Sequence, residues 1–477
     1  MTLLLSVPEA LPRLSTQDRI TLDLARRGAD SAMHLGLVLL LDGPAPTRAE
    51  LVAHLAARLP AVPELSCRID GPPTRPRWVV DRSFDPARHV HELVLPGADA
   101  GDPDRLLAAV LDLPLPEDRP RWGVWLLRSA ADGGSADGGS ADGGSADGGS
   151  ADGVGYALCY RAHHAFQDGA AAMATAEELF GARWPVPPRR PVGPHAGAPG
   201  TASAGTATGA SSGSSASSSA GSGGAGRFRA VTVRELLPPL RRSASWSGLD
   251  RPLTGRRSVS TAVVDLAGLH AVCRATGASL NQVCLAAATG TLRSWRPGDR
   301  PADALPTGTL HANLGVSVRG PDDPHRLLGN RAGVLRIGLP CGESSPLAQL
   351  RQLQQQVTPA RIADLGRRHL ALFQRMPYWY GRLGLRHSLD PRYTPLSLAD
   401  VRLRRPLAFG DTPVRLVFPL PVSVPGQPLF IAWTVGRRQL QVTFLTDGAL
   451  TGGAELPGLW RRALTALEAA ATPPTVP

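Results

Sequence analysis

Two adjacent histidines, His163 and His164, are followed at a short, fixed distance by Asp168 and Gly169. Imidazole titrates near pH 6.5, so a histidine held at the end of a strand is suited to taking a proton near neutrality. The run Tyr156 to Ala162 is apolar and aromatic and reads as a strand. Extended by alternation, it puts His164 on the face of Ala162, Tyr160 and Leu158 and turns His163 the other way. The alanine-rich run from Ala170 to Phe180 reads as a helix. Asp168 and Gly169 then occupy the turn between strand and helix. Asp168 is placed to cap the helix or bind an arginine, and Gly169 to permit close backbone approach. Three chemistries fit the pair: a general base with a supporting neighbour, a structural pair, or a metal site. Metal binding is the weakest, because adjacent strand histidines diverge and no third ligand stands at a recognisable spacing. Spacing alone does not choose between the others.

The flanking elements define how such a pair would be held. Trp122 to Arg128 is a second strand-like run, separated from the first by imperfect repeats of Ser-Ala-Asp-Gly-Gly over residues 129–153. This repeat reads as an overgrown hairpin loop with no role of its own, since loop closure costs only about 0.6 kcal/mol per doubling of length. A second low-complexity segment, 190–226, is built almost wholly of Gly, Ala, Ser, Thr and Pro and reads as a disordered linker. It divides the chain into an N-terminal half, 1–189, carrying the histidines, and a C-terminal half, 227–477. In the first half His34 to Leu41 suits a buried strand. Helices are expected near 51–58 and 104–111, and strands at 77–81 and 90–94. In the second half helices are expected at 280–295, 347–357 and 456–471, and strands at 308–318, 332–337, 429–435 and 440–445. Both halves mix strands and helices, which predicts an α+β fold with a long crossover.

Composition bounds the function. The chain has 477 residues, 43% of them hydrophobic and 19% charged, as in globular proteins. No apolar run reaches the ~20 residues needed to span a bilayer. The first residues lack the basic region and cleavage site of a signal peptide. The five cysteines are odd in number and widely spaced, which points to reduced thiols in the cytoplasm. All 51 basic side chains are arginine, and the formal charge is +11. That excess suits an anionic membrane surface or a phosphate-bearing substrate. Nucleic acid is disfavoured, since the arginines are dispersed and no basic run is interleaved with aromatics. Met376-Pro-Tyr-Trp-Tyr380 is read as core, an acyl-tunnel lining or a lipid contact.

The segment from His163 to Gly169 resembles the His-His-x-x-x-Asp-Gly motif of the coenzyme A-dependent acyltransferase superfamily. The context is similar to that of bacterial wax ester synthase/diacylglycerol acyltransferases: Leu14-Ser-Thr-Gln-Asp18 with Met33-His34, Phe84-Asp85 with His89-Val90, and Leu115 to Trp122. Further likenesses in the second half are Leu280-Asn281-Gln282-Val283, Val316-Ser-Val-Arg319, Gly329-Asn330, and Val442 to Asp447. Departures are Gln282 in place of an acidic residue, Pro120-Arg121-Trp122 in place of Pro-Leu-Trp, and no recognisable Ser-Asn-Val-Pro-Gly-Pro segment. The resemblance implies two chloramphenicol acetyltransferase-like halves forming a pseudo-dimer with a tunnel between them. It implies O-acyl transfer from acyl-CoA to a lipophilic alcohol or diacylglycerol, with acyl-CoA as substrate and no resident cofactor or metal. His164 is the implied base and His163 its support. Asp168 and Gly169 fix the turn, Arg319 is the candidate partner of Asp168, and Asn281 with Arg319 would face the substrates from the second half. The expected location is the cytoplasm, including peripheral attachment to a membrane or lipid-droplet surface. Two other readings remain: a condensation-type enzyme using carrier-bound acyl donors, against which the absence of a carrier or adenylation module weighs, and an inactive lipid-binding relative.

Overall fold

The computed structural model describes residues 11–96, 101–129, 155–182, 242–244, 249, 252–296, 308–319, 327–365, 368 and 376–472. The low-complexity loop and the Gly/Ala/Ser linker, except Ser129, lie outside these residues. In chain order the first part comprises helix α1 (Thr16–Arg27), strand β1 (His34–Leu41), helix α2 (Arg48–Arg58), strands β2 (Cys67–Asp70), β3 (Arg77–Val80) and β4 (Val90–Leu95), helix α3 (Pro103–Val110), strands β5 (Trp122–Ser129) and β6 (Tyr156–His163), and helix α4 (Gly169–Phe180). The second comprises β7 (Arg257–Asp265), α5 (Leu266–Thr276), α6 (Leu280–Ser294), β8 (Leu310–Ser317), β9 (Ala332–Leu339), α7 (Pro346–Gln356), α8 (Tyr378–Ser388), β10 (Leu396–Arg402), β11 (Ala408–Phe409), β12 (Thr412–Leu420), β13 (Leu429–Val435), β14 (Gln439–Asp447) and α9 (Leu456–Ala471).

These elements build a mixed α/β architecture around two six-stranded sheets. The first has the order β11-β12-β1-β6-β5-β4 and the second β7-β14-β13-β10-β8-β9. The expected hairpin is present: β5 and β6 pair antiparallel, with Trp122 opposite Ala162 and Leu127 opposite Ala157. β6 also pairs antiparallel with β1, placing His163 opposite His34. The chain does not keep its halves apart. β12, from the second half, pairs along β1 from Gly36–Leu420 to Leu41–Val414 and so extends the first sheet. Its two prolines mask it as a strand, and no local pattern reveals a partner more than three hundred residues earlier.

Packing follows alternation. Leu158, Tyr160 and Ala162 of β6 join the core under α2 and α4, while Ala157 and Cys159 face Leu106, Leu107 and Val110 of α3. In the second half α6, α7 and α9 cover one face of the sheet, with Trp433 and Trp460 fully buried between the layers. Gly36 in β1 is required by close approach, because a Cβ there would lie 2.0 Å from the Tyr160 carbonyl oxygen. Among the described residues no helix is long and apolar enough to cross a membrane. The five cysteines form no disulfide.

Candidate active site

The strand alternation runs one residue too far at its end. β6 stops at His163, and His164 is the first residue of the turn, its N–H donating to Met33 O at 2.8 Å. The two rings therefore enter different surroundings. His163 is fully buried, and its Nδ1 accepts the Ala165 N–H at 3.0 Å. Its Nε2 lies 3.5 Å from Asp30 Oδ1. Asp30 also receives His34 Nε2 at 2.8 Å and Arg121 at 2.5 Å. Arg161, buried beside them, donates to His34 Nδ1 at 3.1 Å and to the Leu111 and Leu113 carbonyls. Burial pushes His163 down to about 3, more than the Asp30 carboxylate raises it. Burial also acts on Asp30, but hydrogen bonds from both histidines and the charge of Arg121 outweigh it and hold that carboxyl well below its usual range. His163 is thus a neutral structural ring on a charged but balanced platform.

His164 is half-buried. Its Nδ1 faces the Gln167 carbonyl oxygen at 3.2 Å. A carbonyl oxygen only accepts, so Nδ1 carries the proton and Nε2 presents a lone pair. Burial holds this ring below the ordinary imidazole value, against the smaller pull of the Asp168 carboxylate. It is therefore unprotonated at neutral pH, the form a general base requires. The turn beneath is locked by Gln167, whose side chain accepts from Tyr160 Oη at 2.6 Å and donates to Thr175 Oγ1 and the Leu327 carbonyl.

Asp168 does two jobs at once. It caps α4 by accepting the Ala171 N–H at 2.9 Å, and it takes a forked ion pair from Arg319, Nη2 to Oδ2 at 2.8 Å and Nε to Oδ1 at 3.2 Å. The Arg331 N–H adds a third donor at 2.7 Å. Burial alone would raise the carboxyl, but the charge and hydrogen bonds of Arg319 lower it below its usual range. It is an ionised clamp, with its oxygens engaged by Ala171, Arg319 and Arg331. A Cβ on Gly169 would meet nothing within 4 Å, so Gly169 borders open space and is not placed by close approach.

Arg319 therefore reaches the site as the holder of Asp168. Asn281 lies in the first turn of α6, its Oδ1 buried without a partner among the described residues, and no hydrogen bond joins it to the histidine cluster. Gln282 beside it closes the cap of α6, accepting from Ser279 N–H, and donates to the Val357 carbonyl. From the second half, Asn330 meets His164 itself, and Gly329 meets the turn that follows it. The Gly329 N–H donates to Phe166 O at 2.7 Å, and Asn330 Nδ2 comes within 3.5 Å of His164 Nε2. Gly329 has φ +75°, and a Cβ there would be 3.2 Å from the Asp18 carboxylate. The sequence held both signals, Ser15-Thr-Gln-Asp18 and Gly329-Asn330, but nothing in either indicates that they touch. Asp30 and Arg161 carry no signal, since a lone charged residue reads as surface, and Arg121 shows only as a departure from the family's Pro-Leu-Trp. Among the described residues no group of three His, Cys, Asp or Glu is arranged to hold a metal.

Comparison with known proteins identifies what the chain is similar to. Residues 14–136 and 148–284 match the family model described as the wax ester synthase/diacylglycerol acyltransferase catalytic domain. A Mycobacterium tuberculosis (H37Rv) relative named "Probable diacyglycerol O-acyltransferase tgs1" is 26% identical over 363 residues, which is 73% of this chain and 71% of the relative. Among solved structures, the wax ester synthase/diacylglycerol acyltransferase of Marinobacter aquaeolei VT8 aligns with a TM-score of 0.58 at 18% identity, over 96% of this chain and all of that one. The first condensation domain of the calcium-dependent antibiotic synthetase aligns at 0.57 and 18% identity, over 99% of this chain and 98% of that one. At these identities the structural matches establish the shared fold of two acyltransferase-like halves.

Proposed function

The chain belongs to the wax ester synthase/diacylglycerol acyltransferase family, and on that premise we propose that it transfers a fatty acyl group from acyl-CoA to a lipophilic alcohol or diacylglycerol. The observation that carries this reading is the contact of His164 Nδ1 with the Gln167 carbonyl oxygen, which leaves Nε2 as the acceptor. The acceptor hydroxyl gives its proton to Nε2 as its oxygen attacks the thioester carbon. The resulting imidazolium returns that proton to the departing thiolate. No acyl-enzyme is needed when both substrates are held together, and positioning of this kind contributes several kcal/mol.

The test is release of free CoA thiol from long-chain acyl-CoA, with hexadecanol and dioleoylglycerol as separate acceptors and products resolved by mass. Ester formation with either acceptor supports the reading. Turnover only when the same acyl group is offered on a carrier protein transfers the chain to condensation-type chemistry. Lipid binding without turnover on any donor marks an inactive relative.

Such substrates reside in lipid, and α8 is built to meet it. Trp379 and Leu383, 68% and 61% exposed, lie one turn apart on this helix. Arg382, Arg386 and His387 accompany them, and Tyr378 packs under Arg19 of α1 at 4.6 Å. An apolar pair with arginines beside it suits a peripheral contact with an anionic lipid surface. Replacing Trp379 and Leu383 together with serine is expected to weaken co-sedimentation with phosphatidylglycerol vesicles by tenfold or more, at about 1.5–3 kcal/mol for each large apolar side chain removed from contact. Undiminished sedimentation assigns the contact to another surface.

A further inference from the structure

We propose that the side-chain amide of Asn330 is the donor that holds the carbonyl oxygen of the acyl thioester as negative charge develops on it, with Gln17 and Asp18 as its positioning residues. The proposal rests on the reading of His164 as the base.

The orientation of this amide is fixed by its neighbours. Asn330 Oδ1 accepts the Ala332 backbone N–H at 3.1 Å, a donor that cannot be reversed, and also accepts Gln17 Nε2 at 3.0 Å. Gln17 is fixed in turn, because its Nε2 donates to the Ala332 carbonyl at 2.9 Å. The NH₂ end of Asn330 must then point the other way, toward His164. Its backbone is pinned as well, with the Asn330 N–H donating to Asp18 Oδ1 at 2.6 Å. Asp18 itself closes the capping box of α1 with Ser15. The start of the chain thus aims a second-half amide at a first-half imidazole.

What Nδ2 meets there is incomplete. Its partner among the described residues is His164 Nε2 at 3.5 Å, at the limit of a hydrogen bond, and the residue is only 5% exposed. A buried NH₂ group with two hydrogens and one long contact has donor capacity left over. The two nitrogens are also spaced to serve two oxygens on one tetrahedral carbon, Nε2 the attacking oxygen and Nδ2 the former carbonyl oxygen. The alcohol proton passes to Nε2 as the C–O bond forms. The π pair moves onto the carbonyl oxygen, where the Nδ2–H bond shortens to that of an oxyanion donor. On collapse the C=O bond re-forms, the C–S bond breaks, and the thiolate takes the proton from the imidazolium.

The experiment compares Asn330→Ala, Gln17→Ala, the double variant and His164→Ala in the CoA-thiol assay. Asn330→Ala is expected to lower kcat by about 10²–10³-fold with little change in KM, the loss typical of one oxyanion donor. Gln17→Ala is expected to lower kcat by about tenfold through a loosened amide, and to add nothing in the Asn330→Ala background. The acid limb of kcat/KM should stay where it is in wild type. Three results overturn the proposal: wild-type kcat in folded Asn330→Ala, a loss confined to KM, or an acid limb shifted upward. The last would mean that Asn330 tunes the imidazole. Should Asn330→Ala fail to fold, wild-type kcat in Gln17→Ala overturns it. An active His164→Ala instead removes the reading of the base, while inactive His164→Ala beside fully active Asn330→Ala removes only the inference drawn here.

Discussion

Replacing His164 with alanine is expected to lower kcat by about 10²–10⁴-fold while leaving the thermal midpoint close to that of wild type. The two halves of this expectation have separate causes. The chemical loss follows from removing Nε2, whose lone pair is kept clear of the ring proton by the Nδ1 contact with Gln167. The small cost in stability follows from the modest anchoring of the ring, which is half-buried and holds one carbonyl at 3.2 Å. The pH profile supplies the sign. Activity needs neutral His164, and burial lowers its affinity for a proton, so the acid limb of kcat/KM should fall below the ordinary imidazole value of about 6.5. Activity is full above that limb and lost as pH drops through it. His163→Ala should show the reverse pattern. It empties a sealed position beside Asp30, Arg121 and Arg161, so it should cost stability first. If His164→Ala turned over at the wild-type rate, the assignment of the base would fail.

Asp168→Ala is expected to destabilise the protein by about 3–5 kcal/mol, because it strands the Arg319 guanidinium in a buried site. Side chains of Arg319 and Asp168 are 7% and 1% exposed, so solvent neither screens the pair nor replaces a lost partner. The same change removes the cap of α4 and the acceptor for the Arg331 N–H. Asp168→Asn keeps the cap and the shape and should cost less. The double variant Asp168→Ala/Arg319→Ala should be less unstable than the sum of its single changes, since neither charge is then left alone. Chemical denaturation of the four proteins measures this directly. Strict additivity would show that the pair does not clamp the turn.

The parts of this structure that were legible in the sequence were the local ones. The strand–turn–helix around the histidines, the buried β1 and the helices at 280–294 and 456–471 follow from apolar periodicity, which depends only on near neighbours. The strands 257–265, 396–402 and 412–420 were not read, because arginine, aspartate and proline interrupt their alternation. Within the site, Asp168 and Arg319 could be matched as opposite charges near recognisable motifs. Asn281 is drawn toward the site by family likeness, and the structure places it in the first turn of a helix that packs on the second sheet. Arg121 is more instructive. It stands where the family places leucine, and its charge is met by Asp30, which also binds both His34 and His163. No spacing rule links residues 30, 121 and 163. The pairing of β6 with β1 on one side and with β5 on the other brings them together.

The strand that β12 lends to the first sheet sets an order of events during synthesis. β1 is apolar after His34 and buried along its whole length, with β6 on one side and β12 on the other. Until residue 420 has left the ribosome, one edge of that strand has no neighbour from its own chain. At about 5–20 residues per second the wait lasts on the order of ten seconds or more, with a sticky edge open to other nascent chains. Asn330 and Arg319 also arrive late, so the histidine turn is translated early but assembled only once most of the chain exists. The first half alone lacks the β12 partner of β1 and the Arg319 and Asn330 contacts to the histidine turn.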